Sequence, residues 1–196
     1  MRLFTALRLH PDILRDIARV QRGVAGARWV DAEKLHITTA FYGGKLSLDQ
    51  AETLDYELAQ IQQKSLTLQL EGSGHFGSEE PRAIWLGVKK NDGLMALHEK
   101  CKAAARRAGL TLEKRKYMPH VTLAYLRHTP PDRVIAFETR TSRFNTKPFL
   151  VDEMELVSSW PSPKKSAKGV ANTYAVEASY PFLARDGDVR GEGVKG

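Results

Sequence analysis

The chain has 196 residues, of which 42% are hydrophobic and 27% are charged, a composition ordinary for a soluble globular protein with a sizeable core. No run of 18 apolar residues occurs, which excludes a membrane-spanning helix, and the single cysteine excludes an internal disulfide. The formal net charge of +7 fits a polyanionic partner, such as a nucleic acid or a phosphorylated small molecule. It fits equally a basic surface without a binding role.

The N-terminal segment does not have the pattern of a secretory signal peptide. Arg8 interrupts its apolar run, and no small-residue cleavage site follows. We therefore expect a soluble, cytoplasmic protein. Cys101 lies in a helical pattern and belongs to no zinc-binding C-x-x-C spacing, which favours a buried, inert thiol.

The first half of the chain is predicted to alternate strands and helices. Ser47 and Gln50 form a capping box that begins the second helix. The glycine-rich segment EGSGHFGSEEPR does not match a phosphate-binding P-loop, and we interpret it as a plain loop. Alternating apolar residues predict strands over 2–9, 35–42, 65–72 and 82–89, and helical spacing predicts helices over 12–22 and 47–61.

The second half repeats this order. A helix over 92–108 ends at Gly109, a common C-cap residue, and a strand begins near His120. Thr129-Pro130 opens a short helix, and strands over 148–160 and 172–180 close the sheet.

The recurrence predicts an α+β fold with two similar lobes in one compact bilobal domain over residues 1–183. The remaining residues, 184–196, are glycine-rich, charged and aperiodic, and we expect a disordered tail there.

A short phrase, His-x-Thr, occurs once in each half, at 36–38 and at 120–122. Residues two apart on a strand share a face, so each His and Thr project together while Ile37 and Val121 point into a core. If the strands face each other, one histidine can act as base and the other as acid in a displacement at phosphorus. The two hydroxyls can hydrogen-bond the phosphate oxygens, and a strained cyclic phosphodiester suits this set without a metal.

Other uses of the phrase stay open. A single His-x-Thr on a strand is usually structural, because threonine favours strands. Two histidines can also share a metal, but no Asp or Glu lies two residues from either one and threonine is a poor ligand. The sequence therefore predicts no metal and no other cofactor.

Three further residues are candidates for binding the substrate. Arg115, in the basic run EKRKYMPH before the second motif, can approach a phosphate, although such runs are usually solvated. Phe41 and Tyr125 can stack on a base, although aromatic residues at such positions more often belong to the core.

Together, LHITTAFYG and PHVTLAYL resemble the paired motifs of the 2H phosphoesterase superfamily, and more closely those of the bacterial RNA 2′,3′-cyclic phosphodiesterases, also called 2′-5′ RNA ligases. The resemblance covers residues 1–183 and implies antiparallel lobes with helices outside and the motifs in a central cleft. It implies metal-independent hydrolysis of a terminal 2′,3′-cyclic phosphate to a 2′-phosphate. His36 would be the proton donor and His120 the proton acceptor, and Thr38 and Thr122 would hold the phosphate.

The sequence departs from this family at two positions. Tyr125 stands where many relatives have an arginine, which leaves charge stabilisation of the phosphate to Arg115 or to a residue elsewhere. Thr39 replaces a usual apolar residue, and we expect its side chain to face away from the cleft. The implied partner is RNA with a 2′,3′-cyclic phosphate end, bound by a monomer without a membrane. Alternatives are a 2′-5′ RNA ligase or 2′-5′ oligonucleotide esterase using the same site, and a non-catalytic RNA-binding module.

Overall fold

The computed structural model of the protein describes residues 2–114, 116–166 and 169–184, with the backbone alone for 161–166 and 169–172. Arg115 lies outside these residues, and so does the predicted tail apart from Ala184.

The described residues form strands and helices in an α+β arrangement, which confirms the predicted class. In chain order they are β1 Arg2–Arg8, α1 Pro11–Val20, β2 Arg28–Trp29, β3 His36–Gly43, α2 Leu48–Ala59, β4 Leu66–Leu68, β5 Leu70–Phe76, β6 Ala83–Val88, α3 Asp92–Arg107, β7 His120–Tyr125, α4 Pro131–Thr141, β8 Phe149–Val151, β9 Glu153–Ser166 and β10 Gly169–Pro181.

The chain contains the same succession of elements twice. The first copy is β1-α1-β3-α2-β4-β5, and the second is β6-α3-β7-α4-β8-β9. In the large antiparallel sheet the order is β10-β9-β1-β3-β7-β6-β5, so each copy adds its last strand to the other copy's first strand. The equivalent strands β4 and β8 pair with each other in a small second sheet. The two copies are therefore related by an approximate twofold axis between β3 and β7.

The two halves of the large sheet meet at a single register pair. Ile37 of β3 pairs with Val121 of β7, and both side chains are fully buried. They belong to the main core, which also contains the buried faces of all four helices. The buried residue of each motif thus points to the helices, and its neighbours on the strand point to the opposite face.

Two local predictions were wrong in the glycine-rich region. The strand predicted over 65–72 breaks at Gln69, whose amide donates to Thr146 O at 2.7 Å, and so divides into β4 and β5. The predicted loop belongs to β5 as far as Phe76. Gly74 pairs with Trp85, and a Cβ at Gly74 would lie 2.4 Å from the indole ring. The glycine makes room for a ring that packs across the sheet.

The end of α3 offers a test of a predicted cap. Gly109 has φ +71°, and no atom lies within 4 Å of the position that a Cβ would occupy. We expect Gly109→Ala to lower the free energy of unfolding by about 1 kcal/mol, from the left-handed backbone conformation alone. Chemical denaturation measures this loss. Gly109→Asn is the matched control and should lose less, because asparagine tolerates this conformation. Equal stability of Gly109→Ala and the parent would contradict the assignment.

Candidate active site

The two His-x-Thr phrases begin the two central strands and line one cleft. His36 is the first residue of β3 and His120 is the first residue of β7, and each is partly buried. Both histidines, both motif threonines, Phe41 and Tyr125 line the cleft. The structure therefore brings together every predicted site residue except Arg115, which lies outside the described residues.

The central pairing mixes the two motifs. Because Ile37 and Val121 pair in antiparallel register, the residues before and after them are exchanged across the join. His36 therefore neighbours the second motif's threonine, and His120 neighbours Thr38. The backbone register thus places each motif histidine next to the motif threonine of the other half of the protein.

A β-bulge in each motif strand turns an aromatic residue towards the cleft. The register of β3 against β1 skips Thr39, and the register of β7 against β6 skips Leu123. Strict alternation from the histidine would point Phe41 and Tyr125 into the core. The extra residue reverses this, and the two rings are 48% and 45% exposed.

The backbone fixes the tautomer of both histidines in the same way. Nδ1 of His36 lies 2.7 Å from the carbonyl oxygen of Lys34, and Nδ1 of His120 lies 2.7 Å from that of Met118. A carbonyl oxygen can only accept, so Nδ1 carries the hydrogen and the neutral ring has its lone pair on Nε2. Both imidazoles are therefore prepared to exchange a proton at Nε2.

Two aromatic rings pack against each imidazole and exclude water from it. Phe4 stacks on the ring of His36, and Phe76 meets the ring of His120 edge-on. The distances between ring centroids are 5.0 Å from His36 to Phe4, 5.8 Å from His36 to Tyr174, 4.9 Å from His120 to Phe76 and 6.1 Å from His120 to Trp85.

Burial lowers the pKa of both histidines. The pKa of His36 falls to about 4, chiefly through burial; the hydrogen bond to Lys34 opposes this, and the charges of Arg8 and His120 add to it. The pKa of His120 is also lowered by burial, against the hydrogen bond to the Met118 carbonyl. In the free protein at pH 7 both rings are neutral.

Thr39 points away from the cleft, which confirms the direction predicted from its place in the motif. Its hydroxyl is fully buried and donates to Oγ1 of Thr5 at 2.6 Å, and Thr5 contacts the hydroxyl of Tyr42 at 3.0 Å. This chain of hydroxyls fastens the bulge of β3 to β1.

Several further residues that line the cleft were not predicted from the sequence. They come from β1, β9, β10 and the segment before β3, and no local pattern connects these segments to the motifs. The residues are Arg2, Phe4, Val30, Lys34, Ser159 and Tyr174. Among the described lining residues, Arg2 and Lys34 are the cations, and Lys34 Nζ also lies 2.9 Å from Asp31 Oδ2.

A sequence model of the 2′-5′ RNA ligase superfamily matches residues 9–159. The chain belongs to this superfamily. The RNA 2′,3′-cyclic phosphodiesterase of Thermotoga maritima is 28% identical to it over 137 residues, 66% of this chain and 72% of that protein. The protein of the same name from Escherichia coli K12 is 31% identical over 126 residues, 62% of this chain and 70% of that protein.

A solved structure has the same fold. The crystal structure of E. coli LigT complexed with 3′-AMP matches with a TM-score of 0.71 at 24% identity, covering 93% of this chain and 98% of that chain. This likeness shows the shared fold.

No group of three or more His, Cys, Asp or Glu in residues 2–114, 116–166 and 169–184 could hold a metal ion. Over the same part of the chain, no helix is long and apolar enough to cross a membrane.

The low pKa of His36 predicts a pH-dependent stability. Between pH 6.5 and about pH 4 the unfolded chain binds a proton at this residue and the folded protein does not, so stability falls as the pH is lowered through this window. Between pH 7 and pH 5 we expect the free energy of unfolding to fall less in His36→Gln than in the parent, by on the order of 1 kcal/mol. Denaturant unfolding at both pH values measures the difference.

The control is His128→Asn, at an exposed histidine with φ +52° that asparagine also tolerates. It should keep the parent's loss of stability between the two pH values. If His36→Gln behaves like this control, His36 does not have the lowered pKa.

Proposed function

We propose that this protein is an RNA 2′,3′-cyclic phosphodiesterase that hydrolyses a terminal cyclic phosphate to a 2′-phosphate without a metal. The observation that carries the proposal is the pair of imidazoles, held in the same tautomer in one cleft by equivalent backbone carbonyls. The names of the relatives from T. maritima and E. coli support it. The cytoplasmic location and monomeric state predicted from the sequence remain predictions.

In the proposed reaction His120 is the base and His36 is the acid. His120 Nε2 takes a proton from a water molecule whose oxygen attacks phosphorus. The bond from phosphorus to the 3′ oxygen breaks, and His36 gives that oxygen a proton from Nε2. The phosphate stays on the 2′ oxygen, and the two histidines together have passed one proton across the cleft.

The acid must acquire its proton when the substrate binds. His36 is neutral in the free protein at pH 7 because burial lowers its pKa to about 4. A phosphodiester anion beside the ring favours the imidazolium and raises this pKa. Substrate binding and protonation of the acid are thus coupled, and His36 stays neutral until the phosphate lies beside it.

Threonine hydroxyls and a cation are assigned to the phosphate. Thr38 and Thr122 line the cleft and can donate to the non-bridging oxygens. Lys34 already forms an ion pair with Asp31, so we assign the main positive charge beside the phosphate to Arg2. Arg115 remains the candidate proposed from sequence.

The terminal nucleoside is assigned to the two aromatic rings turned into the cleft by the bulges. Phe41 and Tyr125 are exposed there, and the guanidinium of Arg28 lies 5.1 Å from the centre of the Tyr125 ring. A flat, partly exposed ring favours stacking of a base without sequence selectivity. E. coli LigT, which shares the fold, was solved in complex with 3′-AMP, and this is consistent with a cleft that accepts a nucleotide.

Ligation is the second candidate, because the family is named for 2′-5′ RNA ligase. The same two histidines can serve ligation, in which the 5′ hydroxyl of a second RNA attacks the cyclic phosphate in place of water and the 3′ oxygen leaves. The linkage of the product distinguishes the two. A non-catalytic RNA-binding module predicts salt-sensitive binding without turnover.

The first test uses an oligoribonucleotide that ends in 2′,3′-cyclic phosphate, incubated in excess EDTA. We expect the parent to convert this end to a 2′-phosphate, and His36→Ala and His120→Ala to lose about 10²–10⁴-fold in rate. His128→Asn should keep the parental rate, since this histidine is exposed outside the cleft. Turnover that requires an added divalent metal would contradict the two-histidine mechanism, and so would a near-parental rate in either alanine variant.

The second test concerns the phosphate cation. Arg2→Gln should raise KM by about tenfold, as expected for loss of one charge-assisted hydrogen bond of about 1.5 kcal/mol. Arg19→Gln is the matched control, because Arg19 pairs with Asp16 on the surface of α1 and does not line the cleft. Initial rates over a range of substrate concentrations measure both. If the two variants have the same KM, Arg2 does not bind the phosphate.

A further inference from the structure

Beyond its single pairing with β7, strand β3 is held on that side by two side chains. The carbonyl oxygen of Thr38 accepts from the hydroxyl of Tyr117 at 2.9 Å, and that of Thr39 accepts from Nδ1 of His98 at 2.6 Å. Both carbonyls belong to the bulged part of β3. The two donors therefore make, from side chains, the hydrogen bonds that a neighbouring strand supplies elsewhere in the sheet.

The two donors form one unit. The rings of His98 and Tyr117 stack with 3.9 Å between their centroids and 7° between their planes. His98 comes from α3, and Tyr117 from the segment that leads into β7. Burial raises the pKa of Tyr117, so its hydroxyl keeps its hydrogen and remains a donor.

Tyr117 also stands beside the group that orients the second histidine. The next residue is Met118, whose carbonyl oxygen accepts from Nδ1 of His120 at 2.7 Å. Through this hydroxyl, Tyr117 fastens its own segment to the backbone of Thr38, and the same segment orients His120. One side chain connects the base of the second motif to the phosphate-binding residue of the first.

The equivalent edge of β7 is covered differently. There β2 pairs with β7 through Trp29 and Ala124, and the amide of Val30 donates to Leu123 O at 2.8 Å. Gln21 adds a donor to the same carbonyl at 3.1 Å. On the edges where β3 and β7 face each other, β7 is therefore held by backbone hydrogen bonds and β3 by the stacked pair of side chains. A side-chain substitution can for this reason loosen β3 selectively.

We propose that Tyr117, supported by His98, is a positioning residue that sets the separation and orientation of the two His-x-Thr motifs for catalysis. The expected effect on the reaction rate rests on the proposed function. The expected effect on the position of the two motifs does not. Tyr117 does not line the cleft, so it acts through the groups that it holds. Small displacements of reacting groups reduce the rate of a positioned reaction steeply.

The test removes the hydroxyl and keeps the ring. Tyr117→Phe should lower kcat on the cyclic-phosphate oligonucleotide by about tenfold with KM changed by less than twofold, since substrate contacts are intact. His98→Phe removes the other donor, keeps a ring for stacking and should act in the same direction. Tyr180→Phe is the matched control: its hydroxyl donates to Asp55 at 2.5 Å, outside the cleft, and kcat should not change.

A second readout does not depend on turnover. The ring-proton NMR resonances of His36 and His120 should shift in Tyr117→Phe and stay in place in Tyr180→Phe. Parental kcat together with unshifted histidine resonances in Tyr117→Phe would overturn the proposal. If the parent itself fails to hydrolyse the cyclic phosphate, the proposed function falls, and the histidine resonances alone decide whether Tyr117 positions the motifs. If Tyr117→Phe does not fold, the same two readouts on His98→Phe decide.

Discussion

The backbone pairing of Ile37 with Val121 is the constraint on which the cleft depends. It joins the two halves of the large sheet at their approximate twofold axis, and both side chains are fully buried in the core shared by the helices. Because the residues on either side of it are the motif histidines and threonines, the same contact that closes the core brings the reactive groups together. A change that moves this pair moves both imidazoles.

Burial at this join has an electrostatic consequence. The aromatic rings that pack on the imidazoles exclude water and lower the pKa of both histidines. In the proposed reaction, one member of this neutral pair, His36, takes up a proton when the anionic substrate binds. The i−2 carbonyls keep Nδ1 protonated on both sides, so exchange is confined to Nε2. Packing and proton chemistry are therefore set by the same few contacts.

The twofold relation is broken in ways that matter for function. Arg8 pairs with His36 in the sheet, whereas Gly87 occupies the matching place beside His120. Among the described residues, this register places a positive charge beside His36, where it contributes to the lowered pKa of that histidine. The supports of the two motif strands differ too, with β2 on one side and the stacked ring pair on the other. Two copies of one plan can thus perform different halves of a reaction.

The sequence by itself determined the local patterns. Apolar periodicity and caps located both motif strands and all four helices, and the repeated phrase identified His36 and His120 as partners. Short-range patterns could not show that a glycine-rich segment would become a strand, because Gly74 fits there only against Trp85. Nor could they show the bulges at Thr39 and Leu123, which follow from the pairing register.

Only the tertiary structure decided what surrounds the motifs. Arg2, Phe4 and Tyr174 reach the cleft because the sheet places β1 and β10 on the same side of β3, a consequence of strand order that no local signal encodes. The contact of Tyr117 with Thr38 has the same origin, since it spans the join between the two halves. Local sequence sets which backbone each segment adopts, whereas the environment of a side chain depends on which distant strands the core brings beside it.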